Sequence, residues 1–471
     1  MIVHQLNLKA PVHCRGFFIA CLIGEGYLNS MIHAARCAVM TAVVIAMPFT
    51  SWTQVDVRSC ESFLFDLPGV RFEPIAAPWA PSETAWMVQF EQPLDHAHPD
   101  EGSFYQRVYV TEFDPAQPTV LVTEGYDRSN NYPSELATAI GANQVIVEHR
   151  YYGESMPDSM DYAHLNIAQA AQDLHRIRTV LGEYFTGPWI ASGISKGGQT
   201  TIFYRYFFPD DVAVSVPYVA PVNVSLEDER IYAFLNSVGS RKCRKSIEAI
   251  QRRILTDYEE SLLRLRWHAK GEALRFNYLS VEEAFEYAVL EYSFSFWQWG
   301  ADCEAIPDAD GPLEEVLDHF LDVSGLSFFS DDGMENYASH YYQCAAEYGY
   351  YGYETEAFEG LLKALPTAPH PSAIFTPERM DVTYDGGELA QNVYDWVQAQ
   401  GDAFIYINGA LDTWSATAMP PNDARDALYY FLEDQSHGTA RIRNMTEEQQ
   451  QEAKVALERW LGMPVTGSLA D

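Results

Sequence analysis

The pentapeptide Gly-Ile-Ser-Lys-Gly at positions 193–197 constrains this chain more than any other feature. The apolar run 189–194 leading into it is typical of a buried strand, and the run 199–207 after it is typical of a helix. A serine at a sharp strand-to-helix turn is held with its hydroxyl exposed at the top of a sheet, and the flanking glycines let neighbouring backbone pass close. The pattern predicts a nucleophilic Ser195. The alternative is a Gly-rich turn with an incidental serine.

Strand-like and helix-like segments alternate on both sides of this turn. Short apolar runs bounded by turn residues suit buried parallel strands, and the spacing of apolar residues in 166–181 predicts a crossover helix. We therefore expect a mostly parallel sheet with helices on both faces, an α/β fold. The predicted strands are 86–94, 104–113, 119–123, 144–148, 189–194, 212–219, 403–407 and 428–432, and the later helices are 387–400 and 446–461.

A long segment between the two halves of this pattern interrupts it. Residues 226–365 are rich in aromatic residues and have helical periodicity, with no strand-and-crossover unit. We predict helices at 258–267, 281–299, 313–321, 334–348 and 358–365. The predicted organisation is an N-terminal segment (1–50), a core in two parts (51–225 and 381–471) and a helical lid (226–380) inserted between them.

The N-terminus resembles a secretory signal peptide. An apolar run of about a dozen residues, 37–48, follows a short region with one basic residue, Arg36. The run is too short to span a bilayer, which needs about 20 residues. Translation could begin at Met1 or at Met31. We expect export to the periplasm or the medium, with no membrane span in the mature chain; the alternative is a locally packed N-terminal tail.

Removal of such a signal would leave four cysteines. Cys60, Cys243, Cys303 and Cys344 would permit two disulfides in an exported chain, with three possible connectivities. None of them has the short paired spacing of a zinc site. We predict neither a metal nor a cofactor.

The net charge of the chain argues against one class of binding partner. The chain has 30 Lys and Arg against 66 Asp and Glu, a formal net charge of −36 at pH 7. Nucleic-acid binding needs Lys and Arg clustered against phosphates, so we predict no nucleic-acid partner. We attribute most of the excess acid to surface solvation. The oligomeric state stays open.

Two residues downstream suit the partners that a serine nucleophile needs. A serine hydroxyl requires a general base within reach and a carboxylate to orient that base. In α/β-hydrolases these partners follow in the order Ser, acid, His, after later strands. Asp412 follows the predicted strand 403–407, and His437 follows the predicted strand 428–432. We predict a triad of Ser195, Asp412 and His437, although a turn-forming Asp and an exposed loop His are the alternatives for each residue alone.

Acyl transfer also requires hydrogen-bond donors aimed at the oxyanion. The backbone amide of Lys196, directly after the nucleophile, is one candidate. The second is the amide of Tyr126, in the loop after an early strand. The Lys196 side chain would either add positive charge nearby or be solvated, and we favour solvation.

Several motifs in a fixed order resemble a known family. The chain is similar to the secreted bacterial prolyl tripeptidyl aminopeptidases, serine peptidases related to lysosomal Pro-X carboxypeptidase and dipeptidyl peptidase II. The resemblance spans about residues 60–462 and includes the lid segments 294–299 and 342–347. It is carried by Gln-Pro-Leu-Asp-His (92–96), Gly-Ser-Phe-Tyr-Gln-Arg (102–107), His-Arg-Tyr-Tyr-Gly-Glu-Ser (149–155), Gly-Ile-Ser-Lys-Gly-Gly (193–198) and Asn-Gly-Ala-Leu-Asp-Thr-Trp (408–414).

The resemblance implies a serine exopeptidase that removes short peptides from a free N-terminus, often with proline near the cut, through an acyl-enzyme. Such an enzyme needs a buried carboxylate for the ammonium group of the substrate. Glu347, in a lid segment that resembles the family, is our first candidate, followed by Glu124 and then Glu148. The alternative for each is an ion pair with Arg or a backbone-capping role.

Aromatic side chains of the lid could form a pocket for proline, although most aromatic residues at such spacing belong to a core. These residues are Trp297, Trp299, Tyr350 and Tyr351.

Two other functions remain open. An esterase or lipase would use the same triad without needing a buried lid carboxylate, and a non-catalytic binding protein would need no triad.

Overall fold

The computed structural model describes residues 59–82, 84–158, 160–365 and 375–465, together with residues 467 and 469. The predicted signal segment lies outside the described residues. Within those ranges, no helix has both the length and the apolar character needed to cross a membrane.

A nine-stranded sheet forms the core, in the order β1-β2-β3-β5-β4-β6-β7-β8-β9. The pairs among β1, β2, β3 and β5 are antiparallel, and every pair from β5–β4 to β8–β9 is parallel. All residues of β4, β5, β7 and β8 are buried, as expected for strands covered on both faces. The strands are Val70–Ala76, Thr84–Pro93, Ser103–Thr111, Thr119–Thr123, Asn143–Val147, Trp189–Ile194, Val214–Tyr218, Ile405–Gly409 and Leu428–Leu432, β1 to β9.

Helices cover both faces of this sheet. On one face, α1 and α3 pack their apolar side chains against β2, β3 and β6. On the other face, α2 and α13 pack against β4, β7 and β8. The α-helices are Cys60–Phe65, Glu135–Ile140, Ile167–Leu181, Lys196–Phe207, Glu229–Leu235, Arg241–Thr256, Tyr258–Gly271, Val281–Trp299, Leu313–Val323, Asp331–Asn336, Ala338–Gln343, Glu388–Gln400 and Glu447–Leu461, α1 to α13.

A helical insertion separates β7 from β8. Its described residues form α5 to α11 and one π-helical turn, Cys344–Tyr348, with an isolated bridge between Glu227 and Tyr350 as their β pairing. Helix α8 is buried nearly all round and forms the centre of the insertion. The sheet, its helices and this insertion make up an α/β-hydrolase fold.

One disulfide joins two parts of the insertion. Cys243 on α6 is bonded to Cys303, just after α8, across a sequence separation of 60 residues. Cys60 and Cys344 are buried and unpaired. Of the two bridges that four cysteines permit, this structure therefore contains one.

The predicted helix at 358–365 is wrong. A short 3-10 turn ends at Phe358, and Gly360 then adopts a left-handed φ of 77°. The buried Glu286 carboxylate accepts the backbone amides of residues 363, 364 and 365, at 2.6–2.8 Å. Those amides are therefore not available to a helix. The predicted helix 334–348 is likewise divided at Tyr337 into α10 and α11, with the π-helical turn after them.

Candidate active site

The candidate nucleophile lies in a strained turn between β6 and α4. Ser195 has φ 60° and ψ −125°, a region that costs a residue with a Cβ about 1–3 kcal/mol. Its backbone amide donates to the Tyr218 carbonyl on β7 at 2.9 Å, which ties the turn to the neighbouring strand. A Cβ atom at Gly193 would lie 2.3 Å from the Gly197 carbonyl oxygen, and one at Gly197 would lie 2.4 Å from the Thr123 oxygen. Both glycines are required for the backbone to cross this closely.

The candidate acid and base contact each other in the loops after β8 and β9. Asp412 follows β8 and is completely buried, while His437 follows β9 and is 6% exposed. His437 Nδ1 lies 3.0 Å from Asp412 Oδ1. The other oxygen, Asp412 Oδ2, accepts the Ser415 hydroxyl at 2.7 Å, and the Trp414 amide donates to Oδ1 at 3.1 Å. A carboxylate can only accept, so Nδ1 carries the proton and Nε2 is left with its lone pair.

The hydroxyl of Ser195 makes no hydrogen bond to His437 or to any other residue that the structure describes. Catalytic hydrogen bonds are often long without substrate and tighten when it binds. The geometry therefore provides an oriented imidazole and a half-buried serine on loops that follow parallel strands at one edge of the sheet.

The helical insertion also holds His437. Its backbone amide donates to the Gln298 carbonyl at the end of α8, at 3.0 Å. The ring of Trp299, 62% exposed, meets the His437 ring edge-on at 6.0 Å. One turn earlier, the Phe294 carbonyl accepts the Thr413 hydroxyl at 3.1 Å. The contact through Gln298 was not predicted from the sequence, because a residue of any type can supply a main-chain carbonyl.

The two predicted oxyanion donors come from adjacent segments. Neither the Tyr126 amide nor the Lys196 amide donates a hydrogen bond within the described residues. A Cβ atom on Gly125 would lie 2.6 Å from Lys196 Cβ, so the loop after β4 packs directly onto the start of α4. The pair of unoccupied amides beside Ser195 is what an oxyanion requires.

The prediction that the Lys196 side chain is solvated is wrong. The residue is 2% exposed, and its Nζ donates to the Gly125 carbonyl at 2.6 Å. Burial lowers the pKa of Lys196 to about 7. The sequence carries no sign of this, since the enclosing side chains come from distant loops.

Each carboxylate that the sequence nominated has a partner within the protein. Glu347 accepts the first amide of α3, from Ile167, at 2.8 Å, and burial raises its pKa to about 7. Glu124 forms an ion pair with Arg128 at 2.9 Å and accepts the Tyr132 hydroxyl at 3.1 Å. The completely buried Glu148 accepts three backbone amides and a serine hydroxyl, those of Arg128, Glu154 and Ser155.

Another buried carboxylate, Glu291 on α8, escaped the sequence reasoning. It is 6% exposed, accepts the Tyr351 and Tyr353 hydroxyls at 2.8 Å, and has no Lys, Arg or His partner among the described residues. Burial raises its pKa to about 7, and hydrogen bonds from Tyr351, Tyr353 and Ser295 oppose that shift.

The rings around Glu291 reach the candidate triad. We call Phe294, Tyr350, Tyr351, Tyr353 and Trp414 the aromatic cluster. Tyr351 stacks on Phe294 and on Tyr350, each at 4.3 Å between ring centroids. Trp414, two residues after Asp412, contacts Tyr350 at 5.6 Å and Tyr351 at 5.1 Å. Apolar rings thus connect a buried carboxylate to the candidate acid.

Trp297 lies elsewhere, in the core of the insertion. Its indole fills the space beside Gly239, where a Cβ atom would come within 2.3 Å of the ring, and its described ring contact is with Phe296.

An open groove of about 1030 Å³ along α6 is lined by basic side chains such as Arg241 and Lys245, and none of the triad residues lines it.

Comparisons with known proteins assign the chain to a family of peptidases. The model of the PS-10 peptidase S37 family matches residues 60–467. The chain is 30% identical over 385 residues to the prolyl tri/tetrapeptidyl aminopeptidase of Streptomyces mobaraensis, covering 80% of each protein. It is 30% identical over 158 residues to mouse lysosomal Pro-X carboxypeptidase, covering 29% of this chain and 32% of the relative. A proline iminopeptidase structure from Mycobacterium smegmatis matches at a TM-score of 0.38 and 12% identity, covering 79% of this chain and 97% of that one.

Proposed function

Because this chain belongs to the PS-10 peptidase S37 family, and so is a serine peptidase, we propose that it is a secreted tripeptidyl aminopeptidase of the prolyl type. It releases short peptides from free N-termini with Ser195, Asp412 and His437 as its triad. The observation that carries the proposal is the hydrogen bond between Asp412 and His437 beside the strained Ser195 turn. Export is supported by the Cys243–Cys303 disulfide, since such bonds persist in oxidising compartments.

The proposed reaction follows from the positions of these groups. Ser195 Oγ attacks the scissile carbonyl while His437 Nε2 takes its proton, and Asp412 stabilises the imidazolium that forms. The Tyr126 and Lys196 amides bind the oxyanion of the tetrahedral intermediate. His437 then gives the proton to the leaving amine, and water activated by the same imidazole hydrolyses the acyl-enzyme.

Glu291 is the carboxylate that we assign to the substrate ammonium. It has no cationic partner within the described ranges, whereas Glu124 already forms an ion pair with Arg128. Glu291 precedes Gln298, whose carbonyl binds His437, by seven residues on α8, so the two share a face. At 1.5 Å per residue this separation is roughly 10 Å. Three extended residues also span roughly 10 Å, so a tripeptide is long enough to extend from Glu291 to the turn of α8 that contacts His437.

The aromatic cluster suits the apolar ring of proline. Tyr350, Tyr351 and Trp414 lie between Glu291 and the candidate acid, so they flank the path of the substrate that we propose. Flat aromatic faces bind an apolar ring over a large area without needing a hydrogen bond from it. A substrate with a free N-terminus would place its ammonium at Glu291 and its proline beside these rings.

The substitution Glu291→Gln tests this assignment. We expect kcat/KM for a free-amine tripeptide p-nitroanilide to fall about 10- to 100-fold, because a charge-assisted hydrogen bond of about 1.5–3 kcal/mol is lost. The much lower rate on the N-acetylated analogue should stay the same, since that substrate carries no ammonium. Glu347→Gln is the matched control and should leave the preference for a free amine intact. If Glu347→Gln lost the preference for a free amine and Glu291→Gln kept it, Glu347 would be the residue that binds the substrate ammonium.

A substrate panel tests the function itself. Purified enzyme is compared on free-amine tripeptide p-nitroanilides, their acetylated versions and short-chain p-nitrophenyl esters. We expect the free-amine peptides with proline before the cut to be cleaved with the highest kcat/KM. Equal cleavage of acetylated and free peptides would exclude an aminopeptidase, and ester cleavage without peptide cleavage would indicate an esterase.

A further inference from the structure

The buried ammonium of Lys196 binds a peptide group that the reaction uses. Lys196 Nζ donates to the Gly125 carbonyl oxygen at 2.6 Å. This carbonyl and the Tyr126 amide belong to one planar trans peptide, in which C=O and N–H point in opposite directions. Fixing the carbonyl on Nζ therefore fixes the direction in which the Tyr126 amide points. That amide donates no hydrogen bond within the described residues.

We propose that the Lys196 side chain is a positioning residue for the oxyanion hole, which holds and polarises the Gly125–Tyr126 peptide so that the Tyr126 amide donates to the oxyanion. The inference rests on the proposed function of this site. Lys196 then contributes twice, through its own backbone amide at the start of α4 and through its ammonium, which acts by way of the neighbouring loop.

The surroundings of the ammonium make this effect strong. Its Nζ lies over the rings of Tyr152, Tyr126 and Tyr348, at 4.8, 5.4 and 5.4 Å from the centroids, within the range of cation–π attraction. No carboxylate forms an ion pair with it among the described residues, so the Gly125 carbonyl is its hydrogen-bond acceptor. A positive charge in such a water-poor site polarises a bonded peptide more than it would in solvent.

The other titratable groups that face Lys196 are neutral near pH 7. Burial raises the pKa of the Tyr126, Tyr152 and Tyr348 hydroxyls and of the Cys344 thiol well above their usual ranges. Burial lowers the pKa of His340 to about 3, and that of His149 well below its usual range, with Lys196 adding to both shifts. Lys196, with a pKa of about 7, is thus the group in this cluster that titrates near neutrality.

The pH dependence follows from the sign of that shift. Burial disfavours the charged amine, so the ammonium is present below about pH 7 and is lost as the pH rises through that value. Loss of the charge weakens the Tyr126 donor, and kcat therefore falls on the alkaline side.

Two measurements on the full-length enzyme test the proposal. The first is the rate of labelling by a fluorophosphonate, whose phosphoryl oxygen occupies the same hole and which requires no knowledge of the peptide substrate. The second is kcat and KM for a free-amine tripeptide p-nitroanilide from pH 5.5 to 9. Both are made on the wild type and on Lys196→Met, which keeps the unbranched apolar stem of the side chain and removes its charged end.

We expect Lys196→Met to lower kcat and the labelling rate about 10- to 100-fold with KM within about twofold. This loss is smaller than the 10²–10³ of deleting an oxyanion donor, because the Tyr126 amide remains. The alkaline limb of the wild type, centred near pH 7, should be absent from the variant. A folded Lys196→Met with wild-type kcat overturns the proposal. If that variant does not fold, a wild-type kcat that is constant between pH 7 and 9 overturns it alone.

The same data separate this inference from the proposed function. A wild-type enzyme that cleaves no peptide and takes up no fluorophosphonate would contradict the function itself. An active wild-type enzyme with a flat alkaline profile would contradict the role of Lys196 and leave the peptidase assignment standing.

Discussion

Replacing Ser195 with alanine is expected to lower kcat about 10⁶-fold on any peptide substrate. The nucleophile, base and acid act as a unit, so removing the attacking oxygen removes nearly the whole contribution of the triad. Residual turnover would come from the oxyanion donors and from substrate binding alone. The measurement is kcat on a free-amine tripeptide p-nitroanilide, together with covalent labelling by a fluorophosphonate, which should disappear.

Ser195→Ala should remove the hydroxyl without disturbing the fold. The Ser195 hydroxyl makes no hydrogen bond within the described residues, and alanine keeps the Cβ atom at φ 60°. We therefore expect the thermal unfolding midpoint to stay within about 2 °C of the wild type, since a kcal/mol shifts it only a few degrees in a large domain. Labelling that persists in Ser195→Ala would show that another residue is the nucleophile.

Asp412→Asn is expected to lower kcat about 10⁴-fold. The carboxylate accepts a hydrogen bond from His437 Nδ1 at 3.0 Å. An asparagine can keep an oxygen at the Oδ1 position, where it accepts from the Trp414 amide and from His437 Nδ1, but it carries no negative charge. The imidazolium that forms when His437 takes the proton of Ser195 would then lack the carboxylate that stabilises it.

Ser415→Ala provides the matched control for this variant. It removes the hydroxyl that donates to Asp412 Oδ2 but leaves the carboxylate and its bond to His437 in place. We expect it to lower kcat about tenfold at most, because the acid keeps its charge and loses one of the hydrogen bonds that hold it. Equal losses in Ser415→Ala and Asp412→Asn would mean that Asp412 acts through packing and hydrogen bonding and not through its negative charge.

The places of Ser195, Asp412 and His437 at strand ends could be predicted from the sequence, because the end of a strand is marked by residues close to it in the chain. The run 189–194 and the glycines around Ser195 predict the strand and the turn without any knowledge of the rest of the chain. Asp412 and His437 each follow an apolar run by a few residues, and parallel strands bring their carboxyl ends to one edge of the sheet. The family resemblance over 60–462, confirmed by the match to residues 60–467, supports the same fold.

The features that escaped prediction depend on contacts between distant segments. Lys196 is buried because tyrosines from two core loops and from the insertion close over it. Nothing near Glu291 in the sequence distinguishes it from other helix residues. Its tyrosine partner, Tyr351, lies 60 positions later in the chain. The predicted helix 358–365 failed for a similar reason, since a carboxylate from α8 takes its amides. Periodicity carries no information about such pairings.

The hydrogen bond from the His437 amide to the Gln298 carbonyl has a consequence for how a peptide enters. The last turn of α8 contacts the candidate base through the Gln298 carbonyl and the Trp299 ring. If α8 moved away to admit substrate, His437 would lose this support in the same movement. We therefore expect α8 to stay in place while a peptide enters the site.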